Sequence, residues 1–352
     1  MNNKTSNTYK MIDVFKLICA MLVLLLHCIE TSDFTANSIK FIFTRLAVPY
    51  FFIVSGFFLY KGLENCYDKK MYFRKYLKNI IKLFVIWALI IYAPFVIYSY
   101  IKANSGRGVL YITLVLIRRI FIIGPGHFWY LLALGISASV IFWFNYNNKD
   151  KLLYCIAILG MFLLICYSSF YEILSNYIFF ELIFKIIYYV FSWEYNFLMF
   201  GLPFMVIGYY IAKNNVRINI KLCLTVFILA TLGRYIEYYI PTWTNLEILK
   251  RNQLNVFYII QSITLFLVTI KCDLNITEST SLLIRKLSSF IYFSHSIILY
   301  NILNPVLDNF TNLDTYSVEL IFPKFILVML ICVLLFVSII KSNNEYLNNL
   351  LK

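Results

Sequence analysis

Apolar residues run through this chain in long blocks, separated by short clusters of Lys, Asp, Asn and Gly. The blocks fall near 11–29, 41–60, 80–100, 127–144, 153–170, 196–212, 221–239, 254–270, 287–303 and 322–340. Wound as α-helices they have the length to cross about 30 Å of hydrocarbon. The pattern predicts an all-α fold, a polytopic transmembrane helix bundle of about ten spans. Two further stretches fit less well. Gly108–Ile123 is interrupted by Arg118 and Arg119, and 171–193 carries Glu181 and Lys185. Both read as interfacial or re-entrant, because threading 171–193 would reverse every later loop and put Lys213, Arg217 and Lys221 outside.

With the N-terminus inside, the inside segments hold 20 of the 31 Lys and Arg. This asymmetry predicts that both termini are cytoplasmic. Composition agrees with the class: 61% of residues are hydrophobic and 14% charged, outside the soluble range. The net charge of +14 is spread over short loops between spans, which suits a bilayer with anionic lipid and gives no nucleic-acid surface. Residues 1–352 read as one transmembrane domain with no separate soluble domain. Lys4 and Lys10 precede the first run as in a signal peptide, but the run is long and no small-residue cleavage site follows, so a retained anchor is expected. The eight cysteines show no disulfide framework and no zinc-type spacing, and no metal site is predicted.

Candidate chemistry concentrates between Met11 and Tyr60, where Lys16, His27 and Arg45 interrupt apolar sequence. Ionisable groups in a bilayer are costly and mark functional sites by default. Lys16 and His27, eleven residues apart, lie about three turns and 16 Å apart on one helical face. The chain has three histidines, His27, His127 and His295, all at or inside spans. Imidazole carries protons near neutral pH, although one intramembrane His more often makes a helix-to-helix hydrogen bond. Between Lys61 and Lys82, Arg74, Lys78 and Lys82 share a helical face beside Lys75, a stripe suited to phosphates of either a coenzyme A headgroup or anionic lipid. Arg234 and Glu237, three apart, read first as an ion pair. No Gly-rich phosphate loop, Gly-x-Ser-x-Gly elbow or His-Glu-x-x-His pattern occurs.

Four segments resemble the acyltransferase-3 family of bacterial integral membrane acyltransferases. Asp13, Lys16 and His27 are similar to its opening pattern, with Lys16 where Arg is usual. Arg45-Leu-Ala-Val-Pro49-Tyr-Phe-Phe-Ile-Val-Ser55-Gly56-Phe57 resembles its Arg-x-x-x-Pro-x-Phe-Phe-x-x-Ser-Gly segment and is the most specific match. His127-Phe-Trp129-Tyr130-Leu resembles a His-x-Trp-Tyr-Leu element, and Tyr292-Phe-Ser-His295 a later Tyr-x-x-His. Tyr195-Asn196 stands where many relatives carry Arg-Asn. In style the chain also resembles single-domain Gram-positive members and the membrane half of membrane-bound serine racemases.

The resemblance implies a multi-pass enzyme of the bacterial cytoplasmic membrane. It would move an acyl group, most often acetyl, from cytoplasmic acyl-CoA as co-substrate to a hydroxyl of an extracytoplasmic glycan or lipid-linked sugar, with no permanently bound cofactor. His27 and Arg45 would be catalytic, as general base or transient acyl carrier and as oxyanion partner. Lys16, Asp13, Ser55, Arg74, Lys75, Lys78, His127, Trp129, Tyr130 and His295 would line the substrates. Expected partners are acyl-CoA, the sugar acceptor and the lipid bilayer; self-association is left open. The rival reading is a transporter or flippase of a small polar or lipid-linked substrate, which needs intramembrane polar groups as well. Replacing His27 separates the two.

Overall fold

The computed structural model describes residues 9–104, 106–192, 194–216, 218–244, 256–310, 316–342, 344 and 350. Lys4, Arg217, Lys250, Arg251 and Lys352, which enter the charge count, and Trp193 lie outside the described residues. Every regular element among the described residues is helical. In chain order these are α1 (Lys10–Cys28), α2 (Phe34–Ile42), α3 (Ala47–Asn65), α4 (Lys69–Leu83), α5 (Ala93–Ala103), α6 (Val109–Arg118), α7 (Trp129–Tyr146) and α8 (Asp150–Ser169). There follow α9 (Tyr171–Leu174), α10 (Ile178–Phe191), α11 (Leu202–Lys213), α12 (Ile220–Thr244), α13 (Val256–Lys271), α14 (Glu278–Ile298), α15 (Asn304–Phe310) and α16 (Ile321–Lys341). Wider π-helical turns occupy Phe84–Tyr92, Arg119–Ile123, Phe197–Gly201 and Leu299–Leu303.

Seven helical stretches among the described residues are long and apolar enough to cross a membrane: Lys10–Cys28, Phe34–Asn65, Lys69–Ala103, Gly126–Tyr146, Asp150–Ser169, Glu278–Asn309 and Val318–Lys341. Phe197–Lys213 and Val256–Lys271 are shorter apolar helices. Together with α12 they fall on the ten blocks of the hydropathy pattern. α10 has 14 residues, about 21 Å of helix, well short of the hydrocarbon thickness.

The segment between the second and third blocks is helical for most of its length. Only Cys66–Asp68 breaks the helix, and the basic residues belong to a helix continuous with the third block. Asp68 starts it by accepting hydrogen bonds from the backbone N–H of Lys70 and Met71, at 2.8 and 3.0 Å. Asp33 begins α2 in the same way, accepting from Ala36 N–H at 2.7 Å.

The helices group into two compact units. The first comprises residues 1–51, 218–229 and 261–352; the second comprises 52–217 and 230–260. In the first, α1 packs against α14 and α16, and α14 against α16. α16 buries Ile321, Lys324, Val328, Cys332 and Phe336, a single stripe at three- and four-residue spacing. Asp13 meets Ser281 and Arg285, whereas His27 meets Tyr300. The contacts advance together along both segments, so α1 and α14 run parallel.

In the second unit α7 packs on α4, α8 and α11. Tyr209 of α11 donates to Asp150 of α8 at 2.7 Å, Asn145 of α7 donates to the Tyr209 hydroxyl at 2.7 Å, and Lys213 pairs with Asp150. Helices α3 and α11 approach each other closely at two glycines. A Cβ on Gly56 would strike the Met205 carbonyl, and one on Gly208 the Ile53 carbonyl. Both obstacles are backbone, so only displacement of a helix makes room. Gly208→Val is therefore expected to destabilise the protein by about 2–3 kcal/mol, read from thermal unfolding in detergent; an unchanged midpoint counts against this approach.

Candidate active site

The first unit carries the histidine site. α1 delivers His27 at its last turn, half-buried, with Glu30 just beyond the helix end. From α14 comes His295, fully buried, its ring centroid 5.2 Å from that of His27. His295 Nδ1 lies 3.0 Å from the Ile291 carbonyl. A carbonyl only accepts, so in the neutral ring Nδ1 carries the proton. Tyr300, in the π-helical turn after α14, sets its hydroxyl 3.1 Å from His27 Nδ1 and donates to Glu30 at 2.8 Å. Lys40 donates to the Ile29 carbonyl at 2.7 Å and so adds a cation at the same helix end. Lys324, 2% exposed, sits on the buried stripe of α16 with its ammonium 6.0 Å from the Tyr316 ring. Sequence reasoning missed Glu30, Tyr300 and Lys324; for Lys324 the available signal was a lysine in the first turn of an otherwise apolar run.

Toward the start of α1, Asp13 is 3% exposed and its carboxylate is engaged from α14. Arg285 grips it with two parallel hydrogen bonds, Nε to Oδ1 at 2.9 Å and Nη2 to Oδ2 at 2.7 Å, while Ser281 donates to Oδ2 at 2.7 Å. Lys16 stands 3.9 Å from the same carboxylate. The planar fork that lysine cannot form is thus supplied by Arg285 from α14. Arg45 lies in the 3-10 turn Thr44–Leu46 that leads into α3, with its guanidinium 5.8 Å from the Phe41 ring centroid.

The remaining predicted residues belong to the second unit. Gly124 and Gly126 both take positive φ, 91° and 58°, in the turn that presents His127. A side chain at Gly126 would collide with Tyr92, whose ring meets the buried His127 edge-on at 5.7 Å. Trp129 packs with Phe52, Tyr195 and Phe200, at centroid distances of 6.0, 5.5 and 5.7 Å. Phe200 and Phe204 continue this aromatic cluster to Tyr258, over which the fully buried Arg234 places its guanidinium at 4.9 Å. Tyr130 and Ser55 hydroxyls are 3.4 Å apart. Asn196 accepts from the N–H groups of Leu198 and Met199 at 3.0 and 2.9 Å, a capping role that needs its side-chain oxygen. Arg74, Lys75 and Lys78 are exposed along α4. A cavity of about 510 Å³ between α4 and α7 is lined by apolar residues such as Leu77, Ile81, Leu131 and Trp143, with no titratable group. Among the described residues no cluster of three His, Cys, Asp or Glu has metal-binding geometry, and all eight cysteines are free thiols.

The long apolar helices and the buried ionic and imidazole groups between them define a multi-pass helical membrane protein. Residues 9–341 match the family model described as an acyltransferase domain, and the chain belongs to the acyltransferase-3 family. It is 26% identical over 236 residues to a protein from Enterococcus faecalis named amino-acid racemase, covering 62% of this chain and 31% of that protein. It is 30% identical over 95 residues to a serine/alanine racemase from Enterococcus gallinarum, covering 26% of this chain and 14% of the relative. The chain thus spans under a third of the length of these relatives. No solved structure matches it.

Proposed function

We propose that this protein is an acyltransferase of the bacterial cytoplasmic membrane, transferring acetyl from acetyl-CoA to a hydroxyl of a glycan or lipid-linked sugar. The observation that carries the reading is His27, half-buried at the end of α1, with His295 beside it and Tyr300 on its Nδ1. In the proposed reaction His27 Nε2 removes the acceptor hydroxyl proton as the oxygen attacks the thioester carbonyl. The tetrahedral oxyanion collapses with cleavage of the C–S bond, and the CoA thiolate takes the proton from the imidazolium. Arg45 is the proposed partner of the oxyanion on the strength of its charge. Arg74, Lys75 and Lys78 of the second unit are proposed phosphate contacts from their charge; Lys16 of the first unit is proposed, separately and also from charge, as a substrate contact.

The test uses membrane vesicles containing the chain, supplied with acetyl-CoA labelled in the acetyl group. Label is expected in a membrane-bound or glycan fraction as an alkali-labile ester. Label that stays in acetyl-CoA while a small polar solute crosses the vesicle would overturn the reading in favour of transport.

A further inference from the structure

Tyr300 stands between His27 and Glu30. A phenol has one proton and two lone pairs, whereas a carboxylate only accepts. At 2.8 Å the Tyr300 proton is directed at Glu30 Oε1, well inside the 3.5 Å that separates the phenol from the His27 carbonyl. The phenol oxygen therefore meets His27 Nδ1, 3.1 Å away, with a lone pair. Nδ1 must bring the hydrogen, and in a neutral imidazole that leaves the lone pair on Nε2.

We propose that Tyr300 and Glu30 are positioning residues for His27, and the assignment rests on His27 being the base of the transfer described above. They hold the ring in the Nε2 lone-pair tautomer. Three separate pieces of chain build the arrangement: the end of α1 places His27, the residues just after it place Glu30, and the π-helical turn Leu299–Leu303 places Tyr300. Single-turn π segments inside α-helices recur where a side chain must be re-aimed at a functional site. Glu30 is exposed and takes no part in the packed core, so its place in this chain of hydrogen bonds is not explained by burial.

Diethyl pyrocarbonate tests the assignment without substrate, because it acylates an unprotonated imidazole nitrogen. With three histidines in the chain, adducts on the full-length detergent-solubilised protein are resolved by mass spectrometry, and His27→Gln identifies the His27 adduct. Tyr300→Phe is expected to slow acylation of His27 about tenfold and Glu30→Gln about threefold, with partial recovery in Glu30→Asp and no change at His127. Glu30→Gln alters an exposed side chain and guards against a misfolded Tyr300→Phe. An equal or faster His27 rate in both variants, or no His27 adduct in the native protein, would overturn the proposal. The parent reading fails separately, when His27→Ala still transfers acetyl.

Discussion

His27→Ala is expected to reduce acetyl transfer by about 10²–10⁴-fold, the range over which a positioned general base contributes. Alanine removes the Nε2 proposed to accept the hydroxyl proton and also vacates the 3.1 Å contact with Tyr300. His27 is half-buried against His295 and Tyr300, so the thermal midpoint of the variant is read alongside its activity. Measured as labelled ester formed per protein, at a thermal midpoint close to the native one, a residual rate above about a tenth of native sinks the general-base role. Transport that survives the change would move the protein into the rival class.

The second large effect lies about four turns away along α1. Arg285→Ala leaves the Asp13 carboxylate buried with one hydroxyl partner and a lysine ammonium at 3.9 Å, too long for a hydrogen bond. Stranding a buried charge costs more than the pair contributes when intact. The expected loss is about 2–3 kcal/mol, moderated because Arg285 is itself 55% exposed. The reverse change, Asp13→Ala, frees a guanidinium that turns into water, and about 1 kcal/mol is expected. Asp13→Asn combined with Arg285→Ala should recover much of the larger loss. Unfolding midpoints of the three variants in one detergent decide the matter; additive losses would mean that the two side chains do not act as a pair.

Local information accounts for what could be read from the sequence. Ten apolar blocks fall on helices because crossing length and backbone satisfaction leave a membrane segment few alternatives. The spacing of Lys16 and His27 is likewise a local quantity, fixed by helix pitch. Asp13 was harder, because its true partner Arg285 lies 272 residues away and no spacing rule links them. Glu30 looked like the first residue of a polar loop, and Tyr300 like one aromatic among 29 tyrosines. The basic stripe from Lys61 to Lys82 was visible, but its place on a helix continuous with the next span depended on Asp68 acting as a cap, which competes with an ordinary turn.

The widened turn at Leu299–Leu303 carries a consequence for comparing this protein with its kin. A π turn holds one residue more than the α turn it replaces, so a relative with regular helix there is a residue shorter at that point. Gap-free matching through the segment would set a neighbour opposite Tyr300 and hide its counterpart. Structure-guided registration, with a single-position gap allowed between 299 and 303, is what reveals whether a phenol is retained.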